Sequence, residues 1–174
     1  MPSFSAPPIT LVDGRSGAGK TVFATALAKE RGATLLSIDD VYPGWDGLDA
    51  GSWLVYRDVI DAIFQEKPAG YRRFDWDSYE FAEWVDVSPA QPMIIEGCGA
   101  MRRESAPRAI ETIWLEAPED IRVSRALKRD GVGYAALWKR WALQEERFIA
   151  QHHSAELATT LYYTGSSDPG TWGE

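Results

Sequence analysis

The run Gly14-Arg15-Ser16-Gly17-Ala18-Gly19-Lys20-Thr21 satisfies every fixed position of the pattern G-x-x-x-x-G-K-[ST]. Gly14, Gly17 and Gly19 let a backbone turn with its N–H groups pointing inward, a concavity that suits phosphate when a helix N-terminus follows. Lys20 is placed to reach the β- and γ-phosphates of ATP, and Thr21 to offer a hydroxyl to Mg²⁺, a hard cation that keeps oxygen ligands and water. A glycine-rich turn that merely opens a helix is the bland alternative. Arg15, Ser16 and Ala18 complete the cradle through their backbone.

Phosphoryl transfer also needs a group that orients or deprotonates the acceptor, and cations over the moving phosphoryl. Asp39 and Asp40 are candidates for the base, or a turn-capping pair. Glu96 ends an apolar run and is a candidate Mg²⁺ ligand through water, or a solvated strand end. Arg122, Arg125 and Arg129 are three and four residues apart, so a helix puts them on one face that closes over phosphate, with Asp130-Gly131 as a hinge. The plainer reading is a solvated charged face. His152 and His153 show no metal-ligand pattern and read as surface residues. Trp138, Trp141 and Phe148 read as core packing, and Cys98 as a residue beside the pocket.

The elements that must position these groups follow from periodicity. Ile9–Val12 reads as a strand entering the glycine loop, and the segment from Lys20 to Arg31 as a helix closed by Gly32. Further strands are expected at 34–38, 92–97 and 112–115, with a last one at 161–163. Two short strands are expected around Phe74 and Val85. Helices are expected from about Ser52 to Glu66, Glu119 to Arg129, and Tyr134 to His152. Strands alternating with helices imply an α/β fold, a parallel sheet covered on both faces, with ligands at the carboxyl ends of its strands. Asp39, Asp40 and Glu96 all fall at such ends.

The chain has 174 residues, fits one domain spanning 1–174, and carries a formal net charge of −8 spread along its length. That balance argues against a nucleic-acid partner. No apolar run approaches a membrane span, the opening MPSFSAPPITLVDG lacks a leader pattern, and a single cysteine precludes an internal disulfide, so a cytoplasmic location is expected. Nothing in the sequence sets an oligomeric state.

The stretches VDGRSGAGKT, IDDVYPG, MIIEGCGA and ETIWLEAPEDIRVSRALKRDG resemble the uridine kinase and phosphoribulokinase branch of the P-loop kinases. The resemblance implies the three-layer P-loop NTPase fold, a five-stranded parallel sheet in the order 2-3-1-4-5. It places the catalytic base on Asp39, with Asp40 second, sets Tyr42 near the acceptor, gives Glu96 to Mg²⁺ and Arg129 to the lid, and puts adenine near Thr164-Gly165. Two departures stand out. The lid, about 125–134, is short and lacks an R-G-R element, and YRRFDWDSYEFAEW lacks the histidine stretch expected for uridine. Arg72, Arg73, Asp75 and Asp77 are candidates for acceptor recognition. The expected activity is transfer of the ATP γ-phosphate to a hydroxyl of a nucleoside-like or other small metabolite. A nucleoside monophosphate kinase and a degenerate ATP-binding module are the alternatives. A flexible tail is expected at about 165–174.

Overall fold

The computed structural model describes residues 6–165, and most of the expected tail lies outside them. Five parallel strands form the central sheet: β1 (Ile9–Gly14), β2 (Thr34–Ser37), β5 (Met93–Glu96), β6 (Glu111–Glu116) and β7 (Thr160–Tyr163). The other two strands, β3 (Ala69–Asp75) and β4 (Glu80–Val87), make a separate antiparallel hairpin. The order across the large sheet is β2-β5-β1-β6-β7. It differs from the expected 2-3-1-4-5 by the two strand numbers that the intervening hairpin takes.

All six residues of β1 are buried, as a central strand covered on both faces requires. One apolar layer beneath the sheet joins Ile9, Leu11, Leu36, Met93, Ile95 and Trp114 to helical residues such as Val59, Ile63, Trp141 and Phe148. The opposite layer joins Val12, Ile94, Ile113 and Leu115 to Ala24 and Ala28 of α1 (Lys20–Arg31). The strand ends therefore line up along one edge, with loops leaving from it.

The second helix begins earlier than its periodicity indicates. It starts as α2 (Leu48–Val55), widens into a π-helical stretch at Tyr56–Asp61, and closes as α3 (Ala62–Phe64). Gly47 and Gly51 make the start look like a loop in the sequence. Packing explains Gly51, where a Cβ would lie 2.6 Å from Tyr42 Cδ1. Helices α4 (Glu119–Asp130) and α5 (Ala135–His152) are separated by Gly131, at φ +87°, and a short 3₁₀ turn, so the expected lid arginines sit on a helix throughout.

His152 is not a surface residue. It is buried against Phe148, with ring centroids 4.3 Å apart, and burial lowers its pKa, whereas His153 is exposed and closes α5 at φ +56°.

Asp13, at the end of β1, is fully enclosed. Its Oδ1 accepts from the N–H groups of Gly14 (2.7 Å) and Gly99 (3.1 Å), and its Oδ2 from Met101 (2.8 Å). It thereby ties the exit of β1 to the loop after β5. Asp13→Ala leaves those buried donors without partners and is expected to lower unfolding free energy by about 2–4 kcal/mol in urea denaturation.

Candidate active site

The phosphate loop leaves β1 at Gly14 and enters α1 at Lys20. Gly14 has φ +146°, and a Cβ there would lie 2.3 Å from the Leu115 carbonyl oxygen. Gly17 has φ +82°, and a Cβ there would lie 2.3 Å from the Arg122 carbonyl oxygen. The glycines are thus required both by backbone conformation and by the close approach of β6 and α4. Ala18 N–H donates to Arg15 O (3.1 Å), closing the turn.

Lys20 is buried. Its Nζ donates to Arg15 O (3.1 Å) and to Cys98 Sγ (3.3 Å). Burial pulls its pKa down, but Cys98, Glu145, Glu96 and Asp13 outweigh that and raise it above the ordinary lysine value. Burial raises the pKa of the Cys98 thiol well above its ordinary value, against the pull of Lys20.

Thr21 Oγ1 donates to Glu96 Oε1 (3.2 Å), which also accepts from Ser37 Oγ (2.7 Å). Burial raises the Glu96 pKa, against the pull of Ser37 and Lys20. A hydroxyl and a carboxylate side by side at the mouth of a phosphate loop are the donor set Mg²⁺ uses when phosphate and water supply its other positions. The fit is good, with Thr21 and Glu96 as the residues that would hold the ion.

One cavity of about 850 Å³ joins these groups. The loop residues Ser16, Gly17, Gly19, Lys20 and Thr21 line one end, with Glu96 and Cys98 beside them. Tyr42, Trp45, Trp76, Trp138 and Trp141 supply aromatic walls, and Asp39 lines the cavity with them. The walls brace one another: Trp45 meets Trp76 edge-on at 5.4 Å and Trp141 at 6.3 Å, while Tyr42 meets Trp141 at 4.7 Å. Tyr42 is fixed by donating to Cys98 O (2.7 Å).

Arg125, Lys128 and Arg129 also line the cavity from α4. Arg125 donates to Gly17 O (3.2 Å) and to Oγ1 (3.0 Å) and O (3.1 Å) of Thr164. Thr164 in turn donates to Ala18 O (2.8 Å), so the segment expected near adenine braces the phosphate loop. Arg129 pairs with Asp130 at 2.7 Å and is largely exposed. Arg122 is buried and donates to Ala117 O (3.1 Å), a structural contact at the start of α4.

Several expected residues lie elsewhere. Arg72 donates to Ala82 O (3.4 Å), and Arg73 forks onto Glu83 (2.7 and 3.1 Å) within the hairpin. Asp75 accepts from Asp77 and Ser78 N–H and so shapes the turn between β3 and β4. Asp40 is outside the cavity lining, its pKa raised by partial burial and by Asp39. The hairpin reaches the cavity through Trp76 instead, whose Nε1 donates to Asp39 O (3.0 Å).

Asp13, Glu145 and Trp138 are the residues sequence reading missed or placed differently. The strand–loop boundary signals Asp13 only weakly. Glu145 lies 129 residues from the amide it binds, and Trp138 looks like core because its spacing to Trp141 is helical.

No family model matches the sequence and no curated protein matches it, but solved structures do match its fold. The likeness is one of fold. A possible uridine kinase from Bacillus stearothermophilus superposes with a TM-score of 0.58 at 17% identity, over 91% of this chain and 90% of that one. A protein provisionally called a fructose transport system kinase, from Silicibacter sp. TM1040, superposes with a TM-score of 0.57 at 17% identity, over 92% of each chain. Among the described residues no helix is long and apolar enough to cross a membrane.

Burial raises the Asp13 pKa from 3.8 to about 6, outweighing its hydrogen bonds from Met101 and Gly14. Between those values the folded chain keeps a proton that the unfolded chain has released, so the folded state loses stability as pH rises across that window. The expected loss is up to about 3 kcal/mol. In urea titrations from about pH 4 to about pH 7, the wild type should show this component and Asp13→Asn should lack it.

Proposed function

We propose that this protein is an ATP-dependent kinase that transfers the γ-phosphate to a hydroxyl of a small, flat, unphosphorylated acceptor such as a nucleoside. The observation that carries this reading is the single cavity in which the phosphate loop and Asp39 face the same aromatic-walled space. Gly14–Thr21 would hold the ATP triphosphate, Thr21 and Glu96 would hold Mg²⁺, and Trp45, Trp76, Trp138 and Trp141 would receive the acceptor. Mg²⁺ supplies charge neutralisation on the phosphates.

Asp39 is the group that orients or deprotonates the acceptor hydroxyl, because it lines the cavity and Asp40 does not. Lys20 draws charge from the transferring phosphoryl, and Arg129 covers it once released from Asp130. Aromatic faces favour a planar ring over an extended sugar phosphate. The placement of Arg72 and Arg73 bears on the alternative of a nucleoside monophosphate acceptor. Both are engaged within the hairpin, and neither lines the cavity where they would neutralise an acceptor phosphate. The names of the structural neighbours, a possible uridine kinase and a provisionally named fructose transport system kinase, support the kinase class and differ on the acceptor. The protein acts on a small molecule, not a nucleic acid, and works in the cytoplasm.

Coupled ADP release measured across nucleosides, sugars and small alcohols is expected to show turnover with at least one hydroxyl acceptor. Asp39→Asn is expected to slow that turnover by about 100-fold or more while leaving ATP binding in place. Full turnover in the Asn variant would remove Asp39 from its role.

A further inference from the structure

Helix α5 carries a buried carboxylate that the kinase reading does not use. Glu145 is 2% exposed, and its Oε1 accepts from the backbone N–H of Ser16 (2.7 Å), inside the phosphate loop, and from Cys98 Sγ (3.1 Å). Cys98 in turn accepts from Lys20 Nζ (3.3 Å). Glu145 Oε2 is buried and has no hydrogen-bond partner among the described residues. Ser16 to Glu145 is thus a hydrogen-bonded arc that ends on the phosphate lysine.

The chemistry of this arc is that of an anion bound to a phosphate loop. A carboxylate takes a loop amide and, through a thiol, stands by the lysine ammonium, the two kinds of donor that a nucleotide's phosphates require. The same helix carries Trp138 and Trp141 into the aromatic walls. The neighbouring Gln144 donates to Trp45 O (2.6 Å) and accepts from Leu48 N–H (3.4 Å). Glu145 thus sits on the helix that also supplies two of the aromatic walls.

We propose that Glu145 is an internal counter-anion of the phosphate loop, engaging the Ser16 amide and, through Cys98, standing by the Lys20 charge, so that phosphates compete with it for the loop. This rests on the reading of Gly14–Thr21 as a phosphate site. Glu145 sets the affinity of the loop for polyphosphate and is a positioning residue.

Glu145→Gln isolates the charge, since the amide oxygen still accepts from Ser16 N–H at nearly the same volume. Titrating wild type and E145Q with inorganic tripolyphosphate and Mg²⁺ by calorimetry is expected to show tighter binding in the variant, by about tenfold. A residue that only braces the helix would leave the affinity unchanged or weaken it, and either result overturns the proposal. A second readout needs no variant: the ¹³C resonance of the Glu145 carboxyl carbon in wild-type protein should shift on saturation with Mg-tripolyphosphate, and an unmoved resonance overturns the proposal even if E145Q fails to fold. Absence of tripolyphosphate binding by the wild type would sink the phosphate-site reading itself. Binding by the wild type without tightening in E145Q would sink only the role of Glu145.

Discussion

The ammonium of Lys20 is held inside the protein among carboxylates from separate elements: Asp13 at the end of β1, Glu96 at the end of β5 and Glu145 on α5. Like charges converging in a low-dielectric site repel, and a buried cation among them is what makes the convergence tolerable. The strand exits, the phosphate loop and the lid-side helix all meet at this point. Because the acids outnumber the lysine, the site suits a further cation, and Thr21 with Glu96 provides the place where Mg²⁺ fits.

Rigidity around the loop comes from backbone packing as much as from charge. Gly14 lies against the Leu115 carbonyl and Gly17 against that of Arg122, while Arg125 and Thr164 hold the carbonyls of Gly17 and Ala18. The loop's backbone therefore has little freedom to collapse. A backbone held in this way is the kind of preorganisation that electrostatic catalysis of phosphoryl transfer relies on.

The phosphate-loop side of the cavity was legible in the sequence because its signals are local. The glycine loop, the strand before it and the helix after it lie within one short run, and Glu96 is marked by the apolar strand it ends. The aromatic side was not legible, because it is assembled from residues distant in the chain. Trp45, Trp76 and Trp141 meet only after the hairpin folds over the end of β2, and nothing in the spacing of YRRFDWDSYEF distinguishes Trp76, which reaches the cavity, from Arg73, which pairs with Glu83. The burial of His152 and the reach of Glu145 to Ser16 are tertiary in the same sense. A helix periodicity gives the face on which such a residue lies but not the partner it meets.

Whether Gly14–Thr21 is a magnesium-nucleotide site centred on Lys20 is tested most directly by calorimetric titration with ATP, in the presence and absence of Mg²⁺. The wild type is expected to bind ATP with Mg²⁺, more weakly when Mg²⁺ is removed, and Lys20→Ala, its fold checked by circular dichroism, to lose the interaction. Equal ATP affinity in wild type and Lys20→Ala would contradict it.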